Sequence, residues 1–289
     1  MFHSILNLLA AGVLIVSDSE HIGNMDQISS STQFFWDPAF SHEQIDSKKL
    51  HGKNILLVVH GYNNTFDYAI KSIDTVNQSI KNMKSRALTP LYDLVIGYIW
   101  PGYDNFIEYG LAVENADALK ARVRQHLIDL HEVTANVDIL AHSLGNRVML
   151  EALNFINPSD TPLVRNFFSM APAVDATSIQ KGGSLFLGVQ NCQNLYVMHS
   201  SKDDVLKLVY PLTSGKEALG SEVKPNFKKL GPNIQFVDCS KLVEGHGYYF
   251  QTPSIYRFIE AIQTGKNPQA SQVKLVELLK NGQVKILKS

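Results

Sequence analysis

The chain has 289 residues, 45% of them hydrophobic and 18% charged, close to the averages of globular proteins, which excludes collagen-like repeats, a charged tail and wholesale disorder. Its 26 Lys and Arg balance 27 Asp and Glu, and no basic run exceeds two residues, so nothing marks a phosphate-binding surface for nucleic acid. Cys192 and Cys239 form no C-x-x-C pair; neither a disulfide framework nor a structural zinc site is expected, and a reducing compartment fits.

In chain order, short apolar runs bounded by turn residues alternate with longer segments of helical spacing, the pattern of a parallel sheet with helices covering it. The first run, residues 13–17, is read as a strand. Although the neighbouring apolar stretch has the length of a secretory signal, no Lys or Arg precedes it and no small-x-small cleavage site follows. A cytoplasmic location is expected, with secretion left open, and no stretch approaches the roughly 20 apolar residues of a spanning helix. Residues 23–50 are polar and irregular and are assigned no domain of their own.

Further strands are expected at 55–59, 94–99, 137–140, 166–170, 195–199 and 234–237, most of them apolar enough to be buried on both faces. Helical spacing predicts helices at 66–83, 115–133, 144–156 and 254–262. Near the end, Asn281-Gly282 between Val and Leu residues signals a hairpin within 273–287. No linker or repeat interrupts residues 50–264. One α/β domain is therefore expected over 1–289, with a core at about 54–264, an N-terminal strand and irregular segment over 1–53, and a hairpin-like extension over 265–289.

Ala141-His142-Ser143-Leu144-Gly145 follows one predicted strand and opens a predicted helix. A serine on such a turn projects its hydroxyl above the sheet, and the turn closes only with small residues two before and two after it. Ser143 is the candidate nucleophile, and the amide of Leu144 is aimed where an oxyanion would form. A second amide is expected from Tyr62, because His60-Gly61-Tyr62-Asn63 ends an upstream strand and Gly61 lets the chain bend there. His60 itself is assigned a structural role.

Past the strand at 195–199, Lys202-Asp203-Asp204 offers two carboxylates. Asp203 is the candidate acid and Asp204 the cap of the following helix. His246 lies between Gly245 and Gly247 in a loop after the last predicted strand, and histidine is the side chain suited to moving a proton near neutrality. The order serine, acid, histidine along one parallel sheet is that of the α/β-hydrolase type.

On these residues, together with Trp100-Pro101-Gly102 and Ala171-Pro172-Ala173-Val174-Asp175, the sequence resembles the α/β-hydrolase superfamily, and more narrowly its group labelled alpha/beta hydrolase of unknown function. With only residues 171–194 available where the family often carries an insertion, the cap is expected to be small, and the resemblance implies a mostly parallel sheet with helices on both faces and a Ser-His-Asp triad working without metal or organic cofactor. It also admits Asp175 as an alternative acid. The chain departs from the wider pattern at Ala141, where Gly is commoner, and at Ser200-Ser201, where Gly is common before the acid.

The expected activity is cleavage of a carboxylic ester through an acyl-enzyme on a small-molecule acyl substrate. An acyltransferase or thioesterase using the same triad, or a partner-binding scaffold without catalysis, stands as the alternative. Tyr103, Phe106 and Tyr248 are the candidate substrate contacts, joined by Tyr109 and Tyr249 as possible wall. The loop from Gly182 to Gly188 is either acyl pocket or packing over the sheet.

Overall fold

The computed structural model describes residues 13–19, 25–37, 47–81, 83, 90–105, 107–158, 161–221, 226–265, 276–278 and 284–286. Among these residues ten strands form one sheet: β1 (Val13–Ser19), β2 (Ile28–Asp37), β3 (Asn54–Val59), β4 (Leu94–Ile99), β5 (Asn136–His142), β6 (Val164–Met170), β7 (Cys192–His199), β8 (Ile234–Asp238), β9 (Val276–Leu278) and β10 (Val284–Ile286). Their order is β2-β1-β4-β3-β5-β6-β7-β8-β10-β9. The eight inner strands pair in parallel, and β2 and β9 close the two edges antiparallel to β1 and β10.

The central strands are aliphatic on both faces because helices cover both. Ile55, Leu56, Val58 and Val59 of β3 are fully buried. One helical layer holds α1 (Phe66–Lys81) and α7 (Pro253–Gln263); the other packs α2 (Tyr109–Ala118), α3 (Lys120–Val133), α4 (Gly145–Asn154) and α5 (Phe186–Gln190) against one another. Helix α1 turns Ala69, Ile73, Val76 and Ile80 inward at helical spacing. Its Ile73 lies where a side chain on Gly97 of β4 would stand, with a gap of 2.6 Å. A short helix, α6 (Tyr210–Ser214), follows a single π-helical turn at Val205–Val209.

Two expectations need correction. Residues 23–50 contain the ten-residue strand β2, whose polar Ser-Ser-Ser-Thr run hides the alternation that marks a half-buried strand. The helix expected at 115–133 begins earlier, at Tyr109, and breaks at Leu119 into α2 and α3. The Asn281-Gly282 turn lies outside the described residues, but the strands on either side pair antiparallel, with Val284 opposite Leu278. Cys192 and Cys239 are both buried, with no disulfide between them.

Candidate active site

Strands β3, β4, β5 and β6 each end in a residue forced into left-handed backbone or run into one: Asn63 (φ 57°), Tyr103 (φ 55°), Ser143 (φ 53°) and Ala171 (φ 44°) are the non-glycine residues of positive φ among those described. Such conformations cost about 1–3 kcal/mol each and collect where surrounding structure overrules them. Here all four gather along the carboxyl edge of the sheet, where open α/β sheets place their ligands.

Ser143 is held in this conformation from three sides. Its amide donates to the Met170 carbonyl at 3.0 Å, and its own carbonyl accepts from the Ala173 amide and from the Asn146 side chain. That same Asn146 amide reaches Met170 at 3.1 Å, locking the turn to the end of β6. Glycine is obligatory at 145, because a Cβ there would stand 2.3 Å from the His60 carbonyl oxygen, and at 61, where it would meet the Ser143 Cβ at 2.7 Å. Ala141 needs no replacement by glycine: it is a fully buried strand residue between Val59 and Ser169.

His246 Nε2 lies 2.8 Å from Ser143 Oγ, and its Nδ1 lies 2.8 Å from Asp203 Oδ2. Asp203 is fully buried, and its other oxygen accepts the Leu206 amide at 3.0 Å. This corrects the division of labour expected of the two carboxylates. Asp203 both faces the histidine and caps the turn that follows, while Asp204 is exposed and makes no capping bond. Asp175 is directed elsewhere, accepting from the Tyr210 hydroxyl at 3.0 Å and from Lys216 at 2.6 Å.

His60 is a strut. Its Nδ1–H donates to the Gly61 carbonyl at 2.8 Å, its Nε2 accepts the Trp100 amide, and the Trp100 indole donates to its carbonyl while the two rings stack. Burial pushes its pKa down to about 4, which keeps it neutral. Trp100 therefore fixes the end of β3 from the end of β4. Among the described residues, neither the Tyr62 nor the Leu144 amide takes part in the backbone bonds of the turns and loops.

A family model described as alpha/beta hydrolase of unknown function (DUF900) matches residues 39–263. The chain belongs to that family. No curated protein matches it. Among solved structures it is similar to an esterase of Pyrobaculum calidifontis, at 11% identity over 91% of this chain and 88% of that one, with a TM-score of 0.46. It is similar also to EstE1, a thermostable carboxylesterase cloned from a metagenomic library, at 16% identity over 76% and 80%, with a TM-score of 0.42. A third is LpqC, a poly(3-hydroxybutyrate) depolymerase from Bordetella parapertussis, at 12% identity over 73% and 80%, with a TM-score of 0.41.

In this alpha/beta hydrolase a cavity of about 450 Å3 opens above Ser143 and His246. Tyr62 and Tyr109 line it. Tyr103 does not: it is half-buried, and its carbonyl accepts the Asn64 amide, bracing the loop after β3. Tyr248 is exposed beside the lining residue Gly247, Tyr249 is buried behind it, and Phe106 lies outside the described residues. None of the residues from Gly182 to Gly188 lines the cavity; the last three belong to α5, which packs on α4, where a Cβ on Gly188 would stand 2.5 Å from the Leu150 carbonyl.

The wall comes from Val205, Leu206, Val209 and Tyr210, after β7. The signal for it in the sequence is the apolar run Val205-Leu206-Lys207-Leu208-Val209 directly following the acid loop, with no strand pattern of its own. His142 also belongs to the site. Its Nε2–H donates to the carbonyl of His246 at 2.8 Å, and burial foremost, with the neighbouring His246 imidazole disfavouring a second proton, lowers its pKa to about 3. Among the described residues no cluster of His, Cys, Asp and Glu is arranged to hold a metal ion, and no helix is long and apolar enough to cross a membrane.

Proposed function

We propose that this alpha/beta hydrolase is a serine hydrolase that cleaves a carboxylic ester in two acyl-transfer steps. The observation that carries the proposal is the imidazole of His246, seated 2.8 Å from both Ser143 Oγ and Asp203 Oδ2. An ionised carboxylate only accepts, so it fixes the proton on Nδ1 and leaves the Nε2 lone pair facing the serine hydroxyl. His246 Nε2 takes the hydroxyl proton of Ser143 as Oγ attacks the ester carbonyl. The C–O bond to the alcohol then breaks, and the alcohol leaves with the proton from Nε2. Water adds to the acyl-enzyme in the same way and releases the acid and the free serine.

The amides of Tyr62 and Leu144 are the proposed oxyanion donors, each worth roughly a hundred- to a thousandfold in rate. The close approach of the His60-Gly61 turn to the Ser143 turn supports this pairing. Two buried thiols not joined in a disulfide fit a reducing, cytoplasmic setting. Ser143→Ala is expected to lower ester turnover by about 10⁴-fold or more and to abolish labelling by a fluorophosphonate probe. Undiminished labelling of that variant would remove Ser143 from the mechanism.

A further inference from the structure

We infer that the cavity above Ser143 takes an uncharged, apolar acyl group of medium chain length. The inference rests on the serine-hydrolase proposal and names the substrate class of the same site. At about 450 Å3 the cavity falls in the roughly 300–1,000 Å3 span of small-molecule sites and far exceeds what an acetyl group fills.

The described wall carries no fixed charge. Among the described residues no Lys, Arg, Asp or Glu lines it, and His60 and His142 spend their ring protons on the Gly61 and His246 carbonyls. A carboxylate, phosphate or ammonium group brought here would lose its water and gain no opposite charge.

Most of the polar side chains in the wall are already committed. The Tyr62 hydroxyl donates to the Asn105 carbonyl at 2.6 Å and the Tyr210 hydroxyl to Asp175 at 3.0 Å, while Ser72 and Asn64 bond to nearby carbonyls. The exposed Asn63 and the Tyr68 and Tyr109 hydroxyls make no side-chain hydrogen bond among the described residues. A sugar or a peptide would therefore find few partners, whereas hydrocarbon meets Val205, Leu206, Val209 and Phe250. The apolar surface continues past the rim. Leu208 and Leu212, on the same helical segment as Val209, are 59% and 86% exposed, the lining residue Tyr68 is about half exposed, and Tyr248 stands about half exposed beside the lining residue Gly247. A chain attached at Ser143 meets hydrocarbon inside the cavity and again at its mouth.

The test is the second-order rate of Ser143 labelling by alkyl fluorophosphonates of increasing tail length, read by mass spectrometry of the active-site peptide. The expected result is a rise of about fourfold per methylene, from ethyl to a plateau at about six to ten carbons. A probe of plateau length ending in a carboxylate labels at least tenfold more slowly. Val209→Asp, which puts a carboxylate into the wall, and Val209→Trp, which fills it, both lower the octyl-to-ethyl ratio by tenfold or more. Labelling of Ser143 that is flat or falls with tail length, or that favours the charged tail, overturns the inference while leaving the serine-hydrolase proposal intact. Absence of labelling at Ser143 with every probe sinks the serine-hydrolase proposal and this inference with it.

Discussion

His142 precedes the proposed nucleophile in sequence and bonds the loop of the proposed base in space. Its donation to the His246 carbonyl ties the glycine-flanked base loop to the Ser143 turn, so that loop and turn move together. A displacement of about 1 Å between reacting groups costs on the order of a hundredfold in rate. His142→Ala is therefore expected to lower kcat by about ten- to a hundredfold with KM little changed, and His142→Gln, which keeps an N–H donor at similar reach, to recover most of the loss. Steady-state kinetics on both variants checks this. Equal losses in the two would assign His142 to packing alone. Nothing in the sequence spacing signals this role, because the bond joins residues 104 positions apart.

Among the elements, β5, β6 and α7 meet at a buried carboxylate far from Ser143. Asp138, fully buried near the start of β5, accepts both guanidinium nitrogens of Arg165 at 2.9 Å, the Tyr92 hydroxyl at 2.7 Å, the Asn166 amide and the Gln263 side chain. Removing it leaves a half-buried guanidinium and several donors without their acceptor. Asp138→Ala is expected to destabilise the fold by about 3 kcal/mol, the lower end for a broken buried pair because Arg165 retains some water. Urea unfolding checks this, and a loss under about 1 kcal/mol would show that the cluster does not hold these elements together. The elements themselves were legible where burial imposes a period. The inner strands carry short apolar runs and α1 repeats apolar residues at spacings of three or four, whereas β2 lies at the edge of the sheet with polar residues and carries no such mark.

At the scale of the molecule, buried neutral histidines link folding to pH. His60 and His142 have folded pKa values of about 4 and 3, below the 6.5 of an exposed histidine. Between these limits the unfolded chain binds protons that the fold refuses, so the stabilisation is complete above about pH 6.5 and falls as the pH drops toward the folded values. From pH 7.5 to pH 5 the unfolding free energy is expected to fall by roughly 2 kcal/mol per histidine, with His142→Gln showing about half of that dependence. An unfolding free energy that stays level across this window would refute the assignment.

The sequence by itself determined the alternation of strand and helix, the serine on its turn, the glycines at 61 and 145 and the order of Ser143, Asp203 and His246. Each of these is a local demand of backbone geometry or apolar period that the residue types betray. Only the tertiary structure decided that Asp203, and not Asp204 or Asp175, faces the histidine, that Tyr103 braces a loop, and that the cavity wall comes from the segment after β7. These outcomes depend on which of several adequate side chains the packed sheet brings within hydrogen-bond distance. That is set by contacts between residues far apart in the chain, on which local pattern is silent.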